Sequence, residues 1–153
     1  MSEKNTLYDN LRNPVSTIER GQPIPSGLNK LSVHVWIVND AGEYLLQQRM
    51  GTAKKFPNMW GQTGGGAIAG ESSWDACVRE TEEELGLTPD PKKSVLVGTI
   101  KRPMDFVDIW LVHSNAKISD LKPQASEVQA VKWATLADIQ HMQYDNEFIP
   151  SIV

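Results

Sequence analysis

The chain has 153 residues, a net charge of −4, 40% hydrophobic and 22% charged residues, and a single cysteine. That length suits one domain with a real core, and the acidic balance implies no general affinity for nucleic acid or anionic membranes; an anionic substrate would need a metal or a local basic patch. One cysteine excludes an internal disulfide, the opening MSEKNTLYDN lacks a signal-peptide pattern, and no apolar run approaches the ~18 residues of a membrane span, so a cytoplasmic enzyme is expected.

Residues 1–30 are polar and interrupted by Pro14, Gly21, Pro23, Pro25 and Gly27. They read as an N-terminal arm, with short edge strands around Leu7–Tyr8 and Val15–Ile18 or simply draped on the surface. Val33 to Val38 is rich in β-formers, Asn39-Asp40-Ala41-Gly42 is a turn by composition, and Tyr44 to Arg49 is a second strand, which predicts a hairpin. GTAKKFPNMW, from Gly51, is a loop made locally basic by Lys54 and Lys55. The glycines Gly64, Gly65 and Gly66 read as a loop whose backbone can approach a ligand closely.

A capped helix follows. Ser72 is a fitting N-cap with Asp75 as its capping-box partner, and Gly86 suits a left-handed C-cap. At about 100° per residue, Trp74, Val78, Thr81 and Leu85 form the apolar stripe, with Cys77 at its edge. Glu80, Glu83 and Glu84 gather on the adjacent side, with small Ala76 beneath them and Arg79 within reach of Asp75 and Glu83. Three crowded carboxylates repel one another, and a hard divalent cation such as Mg²⁺ relieves that repulsion while binding anionic phosphates.

Thr88-Pro89-Asp90-Pro91 breaks the helix. Ser94 to Lys101 and Phe106 to His113 read as strands, the second largely apolar. Asp108 lies inside it, where a charge is costly unless paired or functional, so it is a candidate metal or substrate contact. Arg102, just before that strand, is a candidate phosphate contact. Glu127 to Trp133 alternates as a strand, Thr135 caps a short helix over LADIQHM, and the tail YDNEFIPSIV packs as a final turn or short helix through Phe148 and Ile149.

Gly65, Glu71, Arg79, Glu80, Glu83, Glu84, Gly86 and Leu87 resemble the Nudix box: glycine, five residues, glutamate, seven residues, then R-E-U-x-E-E-x-G-U with U aliphatic. Thr81 departs from it, at a packing position. FPNMW followed two residues later by TGG resembles the branch related to isopentenyl-diphosphate isomerase, and EVQAVKW resembles a segment that follows the sheet in the family. The resemblance covers roughly Leu31 to Ile139 and implies an α/β fold, an α/β/α sandwich with a mixed β-sheet, over residues 31–153. It implies hydrolysis of a nucleoside diphosphate linked to another moiety, or a similar organic pyrophosphate, with Mg²⁺ or Mn²⁺ held by Glu80, Glu83, Glu84 and a carbonyl at Gly65 or Gly64. Arg79 would hold Glu83, Glu71 would organise the loop or bind metal through water, and either Glu80 or Glu127 would be the general base. Lys54, Lys55, Asp108 and Arg102 are the substrate-contact candidates. Neither nucleic acid nor membrane is an expected partner, and homodimers are common in the family. Two rivals are a non-catalytic ligand-binding module, against which the box keeps every glutamate, and an isomerase. The isomerase would need a catalytic cysteine, and Cys77 lies inside the box helix.

Overall fold

Strand β3, Lys30–Val38, alternates buried and half-buried side chains at every step. It is the axis of a mixed sheet with helices on both faces. The computed structural model describes residues 3–150. The sheet also contains β4 (Tyr44–Arg49), β5 (Trp60–Gly61), β6 (Thr63–Gly66), β7 (Ser94–Arg102), β8 (Asp105–His113) and β9 (Val128–Ala134). β8 pairs with β3 in parallel, Lys30 facing Asp105, and β7 pairs antiparallel with β8. The expected β3–β4 hairpin pairs in register only at Val38 and Tyr44. Beyond that point β3 takes β6 as its antiparallel neighbour, and β4 lies between β5 and β9.

The period-two alternation sorts β3 between two cores. Leu31, Val33, Val35 and Ile37 pack with Ala76, Cys77 and Leu85 of helix α1 (Ser73–Leu85). On the opposite face Trp36 packs with Ile139 and Met142 of helix α2 (Leu136–Tyr144). This is the sandwich the resemblance implies. Both helices begin with a capping box, Ser72 with Asp75 and Thr135 with Asp138, and Gly86 ends α1 at φ 66°. In the tail, Tyr144 ends α2 and Asp145–Asn146 form the expected turn. Phe148 then bridges to Trp60, and Ile149 N–H donates to the Trp60 carbonyl at 2.8 Å. Residues 151–153 lie outside the described residues.

The N-terminal arm is a hairpin of its own, β1 (Lys4–Tyr8) against β2 (Pro14–Glu19), forming a separate two-stranded sheet. Two strands alone are marginal in water, so its anchorage matters. Arg12, at a left-handed φ of 66°, sends a forked pair of bonds to Asp108 at 2.8 and 2.5 Å.

Candidate active site

The stretch TGGG, expected as a loop, is strand β6, with Gly65 opposite Val33 and Gly64 opposite His34. Its glycines lie under α1. A Cβ on Gly65 would stand 2.5 Å from the Glu80 carboxyl carbon, and one on Gly64 would stand 2.3 Å from the Val33 carbonyl oxygen. No side chain fits at Gly64, and one at Gly65 would displace the Glu80 carboxyl. The bare strand therefore leaves a slot into which the helix lowers its acidic row. This turns α1 away from the expected phase: Ala76, Cys77, Thr81 and Leu85 are buried, whereas Trp74 and Val78 are only partly covered.

Arg79 ties the loop to the helix. Its Nε and Nη2 donate to the two oxygens of Glu71 at 2.7 and 3.0 Å, and Nη2 also donates to the Gly66 carbonyl at 3.0 Å. Nη1 donates to Glu80 at 3.0 Å and to Glu83 at 3.2 Å. The predicted Arg79–Glu83 pair is present, but Glu71 is the closer partner, and Asp75 serves the cap. Glu71 also accepts the Ile68 N–H at 2.7 Å, which closes the loop before α1.

Glu80 and Glu84 face the sheet and Glu83 faces solvent; the Glu80 side chain is 13% exposed and that of Glu83 is 52% exposed. Burial, reinforced by the neighbouring Glu84 charge, raises the Glu80 carboxyl from 4.5 to about 7 against the opposing pull of Arg79. Burial also raises Glu84, as does the nearby charge of Glu127, while Gln47, Thr63 and Arg49 oppose the shift. One Glu84 oxygen accepts both the Gln47 amide and the Thr63 hydroxyl, the latter at 2.7 Å.

Gln47, Thr63 and Arg49 were missed in the sequence. A signal was available for the first two. Gln47 shares a face of β4 with buried Leu45, and Thr63 pairs with Val35 on that side. Both are polar side chains where the strand period calls for apolar ones.

Among the described residues no three acidic, histidine or cysteine side chains gather into a metal-sized cluster. Glu80 and Glu83 lean on Arg79, and Glu84 leans on Gln47 and Thr63. The surroundings nevertheless suit a hard divalent ion. The available donors are all oxygens, two half-buried carboxyls are raised by burial and, less strongly, by neighbouring negative charge, and the Gln47 Oε1 is buried without a partner.

A pH effect follows. Because the folded-state value for Glu80 lies above the ordinary one, stability from this group is present at low pH and is lost as pH rises from about 4.5 to about 7. Metal-free protein is expected to melt lower at about pH 8 than at about pH 5.5, and Glu80→Gln to flatten that slope. Thermal melts of both proteins across this range, with chelator present, provide the check.

The remaining expected contacts are distributed differently. Lys54 and Lys55 are exposed on the loop after β4, where Arg49 Nε donates to the Lys55 carbonyl at 2.9 Å. Glu127 is exposed at the start of β9, near enough to Glu84 to act on its charge. Two of the expected contacts are already engaged within the fold. Asp108 is fully buried, with its oxygens occupied by Arg12 and by the Thr99 hydroxyl at 2.6 Å. Arg102 is held by a forked pair with Asp105 at 2.8 and 2.5 Å, which neutralises the charge a phosphate would need. Trp36 stacks on Phe148 with rings 6.1 Å apart, and Trp110 tilts against Trp74 at 5.1 Å.

A sandwiched mixed sheet with a carboxylate helix seated on a glycine strand defines an enzyme of the Nudix hydrolase class. The NUDIX domain family model matches residues 28–152, and the chain belongs to that family. It is 33% identical over 151 residues to an uncharacterized Nudix hydrolase of Listeria innocua, covering 98% of this chain and 89% of the relative. It is 28% identical over 138 residues to the isopentenyl-diphosphate Delta-isomerase of Escherichia coli, covering 78% of this chain and 76% of the relative. A crystal structure of a Deinococcus radiodurans protein superposes with a TM-score of 0.81 at 18% identity, covering 97% of this chain and 93% of that one. The Listeria and Deinococcus matches both extend beyond the family model into the N-terminal hairpin.

Proposed function

We propose that the protein is a Mg²⁺-dependent hydrolase that cleaves the pyrophosphate bond of a nucleoside diphosphate linked to another moiety, or of a similar organic pyrophosphate. The observation that carries this reading is the pair of half-buried carboxyls, Glu80 and Glu84, pressed against the glycine-rich strand β6 with their pKa values raised. Glu83, Glu84 and the Gly65 carbonyl would hold the ion, with Mn²⁺ as a substitute. When bound, Mg²⁺ neutralises the diphosphate, polarises its bridging bond and lowers the pKa of water. Arg79 fixes Glu83 and Glu80 relative to the loop. Glu80, near neutrality on its own, takes the proton from the attacking water, since an effective base has a pKa close to the working pH. Lys54 and Lys55 supply local positive charge for an anionic substrate in a protein of net charge −4. A protein whose one cysteine is buried and free suits the reducing cytoplasm.

The test is incubation with Mg²⁺ and nucleoside diphosphate sugars, ADP-ribose, dinucleoside polyphosphates, nucleoside triphosphates and prenyl diphosphates, with Glu83→Gln as control. Metal-dependent cleavage of one class, lost in the control, supports the reading. Ligand binding without turnover across the panel would favour a binding module instead.

The 28% identity to the isomerase favours a second reading. Against it, Cys77 is fully buried, and burial pushes its thiol up to about 12, which removes the thiolate at neutral pH. Cys77→Ala is expected to keep turnover within a few-fold of the parent; loss of turnover in a folded Cys77→Ala protein would restore the isomerase reading.

A further inference from the structure

The family model begins at residue 28, yet the hairpin before it is bonded to the loop that leads into the acidic helix. β1 runs beside residues 67–70. The Ala69 N–H donates to the Lys4 carbonyl at 2.8 Å, the Asn5 amide donates to the Ala67 carbonyl at 2.8 Å, and the Gly70 N–H donates to the Thr6 hydroxyl at 3.3 Å. Three consecutive residues of β1 thus hold one short loop.

Asn5 is the informative member. It is 5% exposed, and its Oδ1 is buried with no partner. An orphaned buried carbonyl costs stability that an apolar side chain of similar shape would not. The amide at this position is therefore explained by its bond to the loop and not by the packing of the hairpin.

The far side of the same loop is gripped by the catalytic helix. Arg79 bonds the Gly66 carbonyl and Glu71, and Glu71 bonds the Ile68 N–H. Gly65, just upstream, is the residue against which Glu80 packs. The loop is clamped between β1 and Arg79, directly after Gly65 and Gly66, which are paired with Val33 and Ser32 of β3. The hairpin has its own anchors at its other end. Arg12 bonds Asp108, and Tyr8 and Asn29 exchange backbone bonds of 2.8 Å each.

We propose that the N-terminal hairpin is a positioning element of the metal site, with Asn5 and Thr6 as the residues through which it acts. This rests on the metal-dependent reading above. Residues that orient groups around a metal typically change its affinity by about 10–100-fold when removed.

The experiment uses the full chain and its Asn5→Leu and Thr6→Val variants. Two quantities are read well below melting: amide exchange at Ala69 and Gly70, with Val33 and Val35 as references, and Mn²⁺ affinity by electron paramagnetic resonance. The expected result for Asn5→Leu is faster exchange at the two loop amides, unmoved references, and Mn²⁺ binding weakened roughly tenfold. Unchanged loop exchange in a folded variant overturns the proposal, as does faster exchange with parental Mn²⁺ affinity. If Asn5→Leu fails to fold, Thr6→Val, at a half-buried position, decides by the same criteria at Gly70. Parent protein that binds no Mn²⁺ overturns the metal-dependent reading and this proposal with it. Binding in the parent with indifferent variants overturns the proposal alone.

Discussion

Glu84→Gln is expected to reduce turnover by on the order of a thousandfold or more, with the melting temperature of the metal-free protein unchanged or raised. The two effects have one cause. Glu84 is a half-buried carboxylate whose pKa is raised by burial and by the charge of Glu127, so its negative charge is unfavourable to the fold by itself. Glutamine keeps the shape and leaves an amide oxygen to accept the bonds from Gln47 and Thr63. It removes the charge that a divalent ion would bind. A ligand contributing several kcal/mol of transition-state stabilisation corresponds to about tenfold in rate per 1.4 kcal/mol. Steady-state turnover on the substrate found in the panel, with melting curves in chelator, measures both effects. Retained turnover would remove Glu84 from the metal site, and a large drop in melting temperature would mean that the carboxylate is structural.

Arg12→Ala is expected to destabilise the protein by roughly 2–4 kcal/mol and lower its melting temperature by about 5–10 °C. Burial alone would raise the Asp108 carboxyl, but the bonds from Arg12, Ser73 and Thr99 outweigh it and hold the group below the usual carboxylate range. Removing Arg12 leaves a charge that is 1% exposed with only hydroxyl partners. The estimate stands toward the low side of the figure for a fully buried pair because the Arg12 side chain is 36% exposed. A depressed carboxyl contributes stability that is present above its ordinary pKa and lost as pH falls below it. The difference between parent and variant should therefore be largest near neutrality and shrink in acid. Urea melts at several pH values would show this, and a variant as stable as the parent at neutral pH would refute the pairing account.

Much of the sheet and the acidic helix was legible from local pattern. The caps of α1 and α2 fell where serine, threonine and glycine put them, and the apolar alternation of β3 marked two faces. The glycine strand was not legible. Thr63–Gly66 carries no apolar signal and forms a strand because β3 pairs with it. That unseen strand also set the phase of α1, since the slot above Gly65 draws Glu80 inward at the expense of Trp74 and Val78. Nor could local sequence join Arg12 to Asp108, 96 positions apart. A buried charge announces that it needs a partner without saying where the partner is.

The parallel pairing of β3 with β8 has a consequence for how the molecule is made. Ser32 and Asp105 bond across this pair from 73 positions apart, so the central strand cannot be completed by nearby chain. On the ribosome β3, β6 and the acidic helix emerge before β8 has been synthesised. The growing chain then holds Val33 and Val35 beside Gly65 and Thr63 of β6, with the other edge of β3 open. Long-range pairing of this kind folds slowly, and an unpaired apolar edge is prone to association while it waits. Yield on overexpression should therefore respond to growth temperature and chaperone supply more than the stability of the finished fold would suggest.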